Sequence, residues 1–211
     1  MQTGIFDGRV QVKYSYSRWG YTRGGGKTWH GGIDLVGLDD SYIRMPYFDG
    51  KQITGTVTRA RIVTDKSNKT WEWGYYVCVQ LDAKQTPDTV NFLYFCHCEK
   101  LLVEVGQKVK SGDVLAVMGN TGNAAGGYKH CHLETRATAT GRGVDPTKYA
   151  GVPNQMGTYG QVSVDTTPSP DTRLQVITVG PVSRGDADAI YKLCTERQLV
   201  SMGLYKSEYV S

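Results

Sequence analysis

Between residues 52 and 118, short apolar runs alternate with polar positions and are separated by turn-forming residues, the pattern of successive strands. Ile53 to Val63, Gly74 to Leu81 and Val90 to His97 form three such runs. Asp65 to Thr70 supplies a polar hairpin turn between the first two, and Thr86-Pro87-Asp88 a turn before the third. Val103 to Met118 reads as strand, glycine turn, polar bend and strand again, and Arg9 to Tyr16 as one more extended segment. No helical period precedes residue 150. The expected fold is mainly β, an antiparallel sheet.

The pattern changes after residue 150. Residues 151–172 carry Pro153, Gly157, Gly160, Pro168 and Pro170 with little apolar content, which predicts a semi-rigid linker. Residues 173–211 read as β-α-β, with strands over 174–180 and 204–210. Between them lies a helix capped by Ser183, with an apolar stripe at Ala187, Ile190, Tyr191 and Cys194. The organisation is thus a domain over 1–150, a linker and a small C-terminal module. A piece of this size buries little surface alone, so packing on the main domain or pairing with a second copy is expected.

Composition sharpens this picture in three places. Glycine, at 26 of 211 residues, favours a turn-rich β body. A net charge of +4 without a run of five Lys or Arg argues against nucleic acid as a partner, although it suits approach to an anionic polymer. Five cysteines without framework spacing argue against a disulfide-stapled fold. The start of the chain lacks the basic and apolar regions of a secretory signal, and no run is long and apolar enough to span a membrane. The expected history is synthesis in a host cytoplasm followed by release to its target, or secretion if a signal has been removed.

The chemistry gathers on histidine. All four stand in motif-like contexts: His30 and Asp34 in Trp29-His30-Gly31-Gly32-Ile33-Asp34, His97 between Cys96 and Cys98, and His130 and His132 in Lys129-His130-Cys131-His132-Leu133-Glu134. Gly31-Gly32 disfavours a helix, so His30 and Asp34 are expected on one face of an extended or gently bulged strand. His130 and His132 share a strand face with Cys131 turned away. By the same alternation Cys96, Cys98 and Cys131 are expected in an apolar layer behind the site. A catalytic zinc needs three protein ligands and an open position, and His30, Asp34 and one of His130 or His132 supply them. A structural zinc on Cys96, Cys98, His130 and His132 competes, but strand geometry splits those ligands between faces. No His-Glu-x-x-His motif is present, so a histidine must serve as base.

His30-x-x-x-Asp34 with His130-x-His132 resembles the zinc signature of the M23 (lysostaphin-type, LytM-like) peptidoglycan metalloendopeptidases. Tyr94-Phe95-Cys96-His97 resembles the family's Tyr-x-His segment with one residue more. Val105 to Val109, and the stretch through Gly119-Asn120-Thr121-Gly122, resemble its hairpin and the loop before His-x-His. The resemblance covers residues 9–150. It implies a small antiparallel sheet with a groove over one zinc ion per chain, held by His30, Asp34 and His132. It makes His130 and His97 the pair that activates water and steadies the transition state. It implies bacterial peptidoglycan as substrate, cut in stem peptides or cross-bridges, and a bacteriolytic, antimicrobial enzyme such as a phage endolysin.

Three further expectations accompany this reading. The segment around Val179-Gly180-Pro181 resembles half of a SPOR-type peptidoglycan-binding domain, which implies wall binding or a homodimer through residues 173–211. A non-catalytic LytM-like module that binds walls or activates other hydrolases is the alternative function, though such modules lack the ligands present here. Val105 to Leu115 also resembles the hairpin of biotinyl or lipoyl carriers, whose exposed lysine at a tight turn is absent. A tyrosine before His30, such as Tyr21, is a candidate to assist at the oxyanion.

Overall fold

The structure is a computed structural model that describes residues 2–161 and 183–196. Two compact units divide the chain, Met1–Thr166 and Thr167–Ser211. In the first unit the short strands β1 (Gln2–Thr3), β2 (Phe6–Asp7) and β3 (Val10–Val12) lead to β4 (Gly20–Arg23) and β5 (Thr28–His30). They are followed by β6 (Ile33–Gly37), β7 (Tyr42–Arg44) and the long strands β8 (Thr54–Ile62), β9 (Tyr75–Leu81) and β10 (Phe92–Cys98). Strands β11 (Lys100–Leu101), β12 (Lys108–Lys110), β13 (Val114–Val117) and β14 (Cys131–Arg136) come next. The one-turn helix α1 (Thr147–Ala150) and strand β15 (Gly157–Tyr159) close the unit.

Eight strands form the main sheet in the order β12-β8-β9-β10-β14-β6-β3-β15, every neighbouring pair antiparallel. β11, β13 and β7 make a three-stranded sheet, and β4 with β5 a two-stranded one. The mainly β, antiparallel architecture expected from the period-two pattern is the one observed.

Alternation explains the core. Leu93 and Phe95 on β10, and Cys131 and Leu133 on β14, point into a large apolar cluster with Ile33, Leu35 and Val77. Tyr94 and Cys96 point the other way, into a smaller cluster with Val63, Tyr76 and Cys78. Burying one such leucine contributes roughly 1.5–3 kcal/mol, so the large face dominates the stability of the sheet.

Four local expectations are corrected. The strand read over Arg9 to Tyr16 is only Val10–Val12, because a 3-10 turn takes over at Ser15–Ser17. The hairpin read over 105–115 does not pair with itself: β12 joins the edge beside β8, while β13 lies between β11 and β7. Asp113 closes the bend between them, its carboxylate accepting the Lys110 N–H at 2.9 Å. Residues 157–159, inside the stretch read as linker, add an edge strand to β3. Helix is not wholly absent before residue 150, since α1 makes a single turn ended by Gly151 at φ 65°.

In the second unit, helix α2 spans Arg184–Glu196. Ser183 caps it as expected, its hydroxyl accepting the Asp186 N–H at 3.2 Å. The strands expected over 174–180 and 204–210 lie outside the described residues. Among the described residues, no helix is long and apolar enough to cross a membrane.

Candidate metal centre

His30 ends β5 and Asp34 lies in β6, with a bend at Gly31-Gly32 between them. The expected single strand is therefore two, in different sheets. Side chains are excluded from the bend by close approach. A Cβ on Gly32 would lie 2.3 Å from the Leu133 carbonyl oxygen and 2.9 Å from the His132 ring, and one on Gly31 would lie 2.7 Å from Glu134 Oε1. The bend still brings His30 back over its neighbour, with Nε2 3.2 Å from Asp34 Oδ1.

Strand pairing supplies the third group. β14 lies against β6 with His132 directly opposite Asp34. His132 Nδ1 is 2.9 Å from Asp34 Oδ1 and 2.9 Å from His30 Nε2. Donors held about 2.0–2.1 Å from a tetrahedral ion stand about 3.3 Å apart, close to the edges of this triangle. His30, Asp34 and His132 are the one such group brought close together among the described residues, and all three are buried.

His97 arrives by a different device. Between Phe95 opposite Val77 and Cys98 opposite Tyr75, the two residues Cys96 and His97 face the single residue Tyr76. This bulge places His97 at φ 63° and re-aims its ring toward the site. His97 lies 4.9 Å from the His130 ring and 5.9 Å from that of His132. His130 just precedes β14, bridged to Gly119, and its Nε2 lies 3.8 Å from Asp34 Oδ1.

The bulge also corrects the expected layering of the cysteines. Cys98 and Cys131 lie in the large core behind the site, but Cys96 belongs to the opposite cluster and sits beside His132 across the β10–β14 pair. Cys78, Cys96, Cys98 and Cys131 are all buried and unpaired.

Backbone carbonyls set the tautomers of three histidines. The Nδ1–H of His30 donates to Arg18 O at 2.8 Å, that of His97 to Thr121 O at 2.9 Å, and that of His130 to Tyr128 O at 3.0 Å. Each is left with its lone pair on Nε2, and that of His30 faces Arg23 Nη2 at 2.9 Å. His132 is turned the other way, with Nδ1 toward His30 and Asp34.

The protein's own charges keep these groups in distinct states. Burial lowers His30 and His130, and it lowers His97 to about 3 with help from the charges of His132 and His130. Burial alone would lower His132, but the carboxylates of Asp34 and Glu134 outweigh it and raise it to about 9. Burial would raise Asp34, yet the contacts with His132 and His30 hold it well below the usual carboxylate range.

All five residues expected at the site converge there. Tyr21 does not: it is 61% exposed on β4, edge-on to Trp29 and beneath the Arg142 guanidinium. Two participants were missed. Arg23 donates from Nη2 to Asp34 Oδ2 at 3.0 Å and lies 2.9 Å from His30 Nε2. Glu134, only 4% exposed, has Oε2 3.7 Å from His132 Nε2. Its even spacing from His132 along one strand was a signal that could have found it. No local pattern marks Arg23.

Residues 48–146 match the model of peptidase family M23. The matched stretch holds His97, His130 and His132, whereas His30 and Asp34 precede it and join it through the β6–β14 pairing. Among solved structures, the chain is similar to the catalytic domain of the antimicrobial peptidase lysostaphin from Staphylococcus simulans. That match has 19% identity, 64% coverage of this chain, 89% of the other, and a TM-score of 0.46. A mutant catalytic domain of the prophage-encoded M23 protein EnpA from Enterococcus faecalis gives 22% identity, 63% and 88% coverage, and a TM-score of 0.47. A complex of SpoIIIAH and SpoIIQ gives 19% identity, 70% and 98% coverage, and a TM-score of 0.48.

Proposed function

Since the chain belongs to peptidase family M23, we propose that it is a zinc-dependent endopeptidase that hydrolyses peptide bonds of bacterial peptidoglycan, in stem peptides or cross-bridges. The observation that carries this reading is the buried triangle of His30 Nε2, Asp34 Oδ1 and His132 Nδ1, flanked by two further histidines. Two imidazole nitrogens and one carboxylate are a donor set that zinc favours, and three protein donors leave a position open, as catalytic sites require. Bound there, zinc would supply Lewis-acid polarisation of the scissile carbonyl and of water.

His97 and His130 provide the proton chemistry. Each gives its Nδ1–H to a backbone carbonyl and keeps Nε2 as a proton acceptor. Burial disfavours their charged forms, so each holds Nε2 unprotonated and able to accept a proton. As water attacks the carbonyl carbon, its proton passes to one Nε2, and the imidazolium formed steadies the charge growing on the carbonyl oxygen. The same proton then goes to the amine nitrogen as the C–N bond breaks. With every expected ligand present, the alternative of a non-catalytic module is disfavoured. Residues 173–211 serve in this proposal as a wall-binding or dimerising module, whose removal spares hydrolysis of small soluble peptides.

Elemental analysis of the purified protein, paired with the turbidity of isolated cell walls, tests the reading. About one zinc per chain is expected, with lysis that a chelator abolishes and zinc restores. A chain without zinc would overturn the proposal.

A further inference from the structure

The four histidines of the site are held in two different ways. His30, His97 and His130 each anchor Nδ1 on a backbone carbonyl and turn Nε2 inward. His132 turns Nδ1 inward, and among the described residues no backbone carbonyl accepts from its outer nitrogen. What faces that nitrogen is a carboxylate, Glu134 Oε2 at 3.7 Å.

That carboxylate is itself tightly placed. Strand alternation puts 132, 134 and 136 of β14 on one face. Arg136 donates from Nη2 to Glu134 Oε2 at 2.9 Å, and its guanidinium lies between Trp73 and Tyr94 at 4.9 and 4.8 Å. On the other side Glu134 Oε1 fills the space left by two glycines, for a Cβ on Gly31 or Gly143 would come within 2.7 or 2.6 Å of it. A buried carboxylate needs cationic or donor neighbours, and Arg136 on one side and His132 on the other supply them.

We infer that Glu134 is a positioning residue for the metal ligand His132, fixing the tautomer with hydrogen on Nε2 so that the Nδ1 lone pair faces the ion. Glu134 thus takes for His132 the place that the carbonyls of Arg18, Thr121 and Tyr128 take for the other three, as a charge at 3.7 Å where they are hydrogen-bond acceptors at 2.8–3.0 Å. A carboxylate on the outer nitrogen also raises the basicity of the ligating one, and loss of such a partner typically costs about 10–100-fold in metal affinity. The inference rests on the zinc reading above.

The test measures zinc affinity by chelator competition for the full chain and for Glu134→Ala and Glu134→Gln. The alanine variant is expected to bind roughly 10–100-fold more weakly. The glutamine variant preserves the volume between Gly31 and Gly143, which guards against misfolding, and is expected to lose about tenfold. In proton NMR of the zinc-loaded protein, the downfield His132 Nε2–H signal should shift or exchange away in both variants. The Nδ1–H signals of His30 and His97 should stay, which a general loosening of structure would not allow. A wild-type chain without zinc ends both this inference and the zinc reading. A zinc-binding wild type with variants of equal affinity and an unchanged His132 signal ends this one alone.

Discussion

One face of the β10–β14 pair is closed by Leu93, Phe95, Cys98, Cys131 and Leu133, all at 0% exposure. The other carries Tyr94 and Cys96 at 0%, Glu134 at 4% and His132 at 8%, hardly more open to water. Burial is nearly equal, yet the energetic requirements differ. An apolar side chain gains from leaving water and asks nothing specific of its neighbours, so that face tolerates volume-conserving exchanges. A buried imidazole or carboxylate must have an assigned partner, or it costs more than its burial returns. The site face is therefore specified atom by atom, and the core face mainly by volume.

The largest effect should come from removing a proposed zinc ligand on the site face. Asp34→Ala takes away the carboxylate that His132, His30 and Arg23 share. It should abolish stoichiometric zinc and activity together, exceeding the roughly 10–100-fold typical of an outer partner. Zinc content and wall lysis measured on one preparation would show it.

His97→Ala comes next and splits the two properties. Zinc should remain at one per chain, while turnover falls by about 10²–10⁴-fold, the usual worth of a general acid or base. A zinc-free His97→Ala protein would place His97 among the ligands.

Leu133→Ala inverts that outcome. The residue lies on β14 between His132 and Glu134 but points into the large core. Its truncation should cost about 2–5 kcal/mol of stability by denaturant unfolding, while the folded fraction retains its zinc affinity. A variant of unchanged stability and weakened zinc binding would erase the distinction between the faces.

The pH dependence separates them again. In the chelator-treated protein, folding holds His97 near 3 by burial and Glu134 near 2 through His132 and Arg136, against ordinary values of 6.5 and 4.5. Groups so depressed contribute stability that is present above their unfolded values and lost as pH falls through the folded ones. His132, raised to about 9 by Asp34 and Glu134, has the opposite sign: its contribution is complete below 6.5 and lost as pH climbs through 9. Melting temperatures between pH about 4 and about 9 should fall on both sides of neutrality. Leu133→Ala should lower the whole curve without moving its maximum.

These contrasts also show how far the sequence could be read. Period-two alternation identified β8, β9 and β10 within a residue or two, because alternation is a property of one strand alone. The convergence of His30, Asp34, His97, His130 and His132 was legible because residue type and motif carried it. Cys96 was placed on the wrong face because the bulge at Cys96–His97 is a matter of register against Tyr76, which no single strand encodes. The break at Gly31-Gly32 was hidden for a related reason. Those glycines answer to Leu133, His132 and Glu134, which lie far along the chain. Lys108–Lys110 and Val114–Val117 looked like one hairpin because sequence proximity does not reveal which sheet each strand joins.

The smallest effect concerns Arg23, which belongs to neither face and reaches the site from β4 just before Gly24-Gly25-Gly26. Its guanidinium meets Asp34 Oδ2 and His30 Nε2, two of the groups proposed to hold zinc, so arginine and metal compete for the same negative potential. The side chain is 39% exposed, and an ion pair that open to solvent is worth about 1 kcal/mol or less. Arg23→Ala should therefore tighten zinc binding, by no more than about fivefold, and the gain should shrink as salt is added. A loss of affinity instead would mean that Arg23 orients the Asp34 carboxylate for the ion, making it a support of the centre and not a competitor for it.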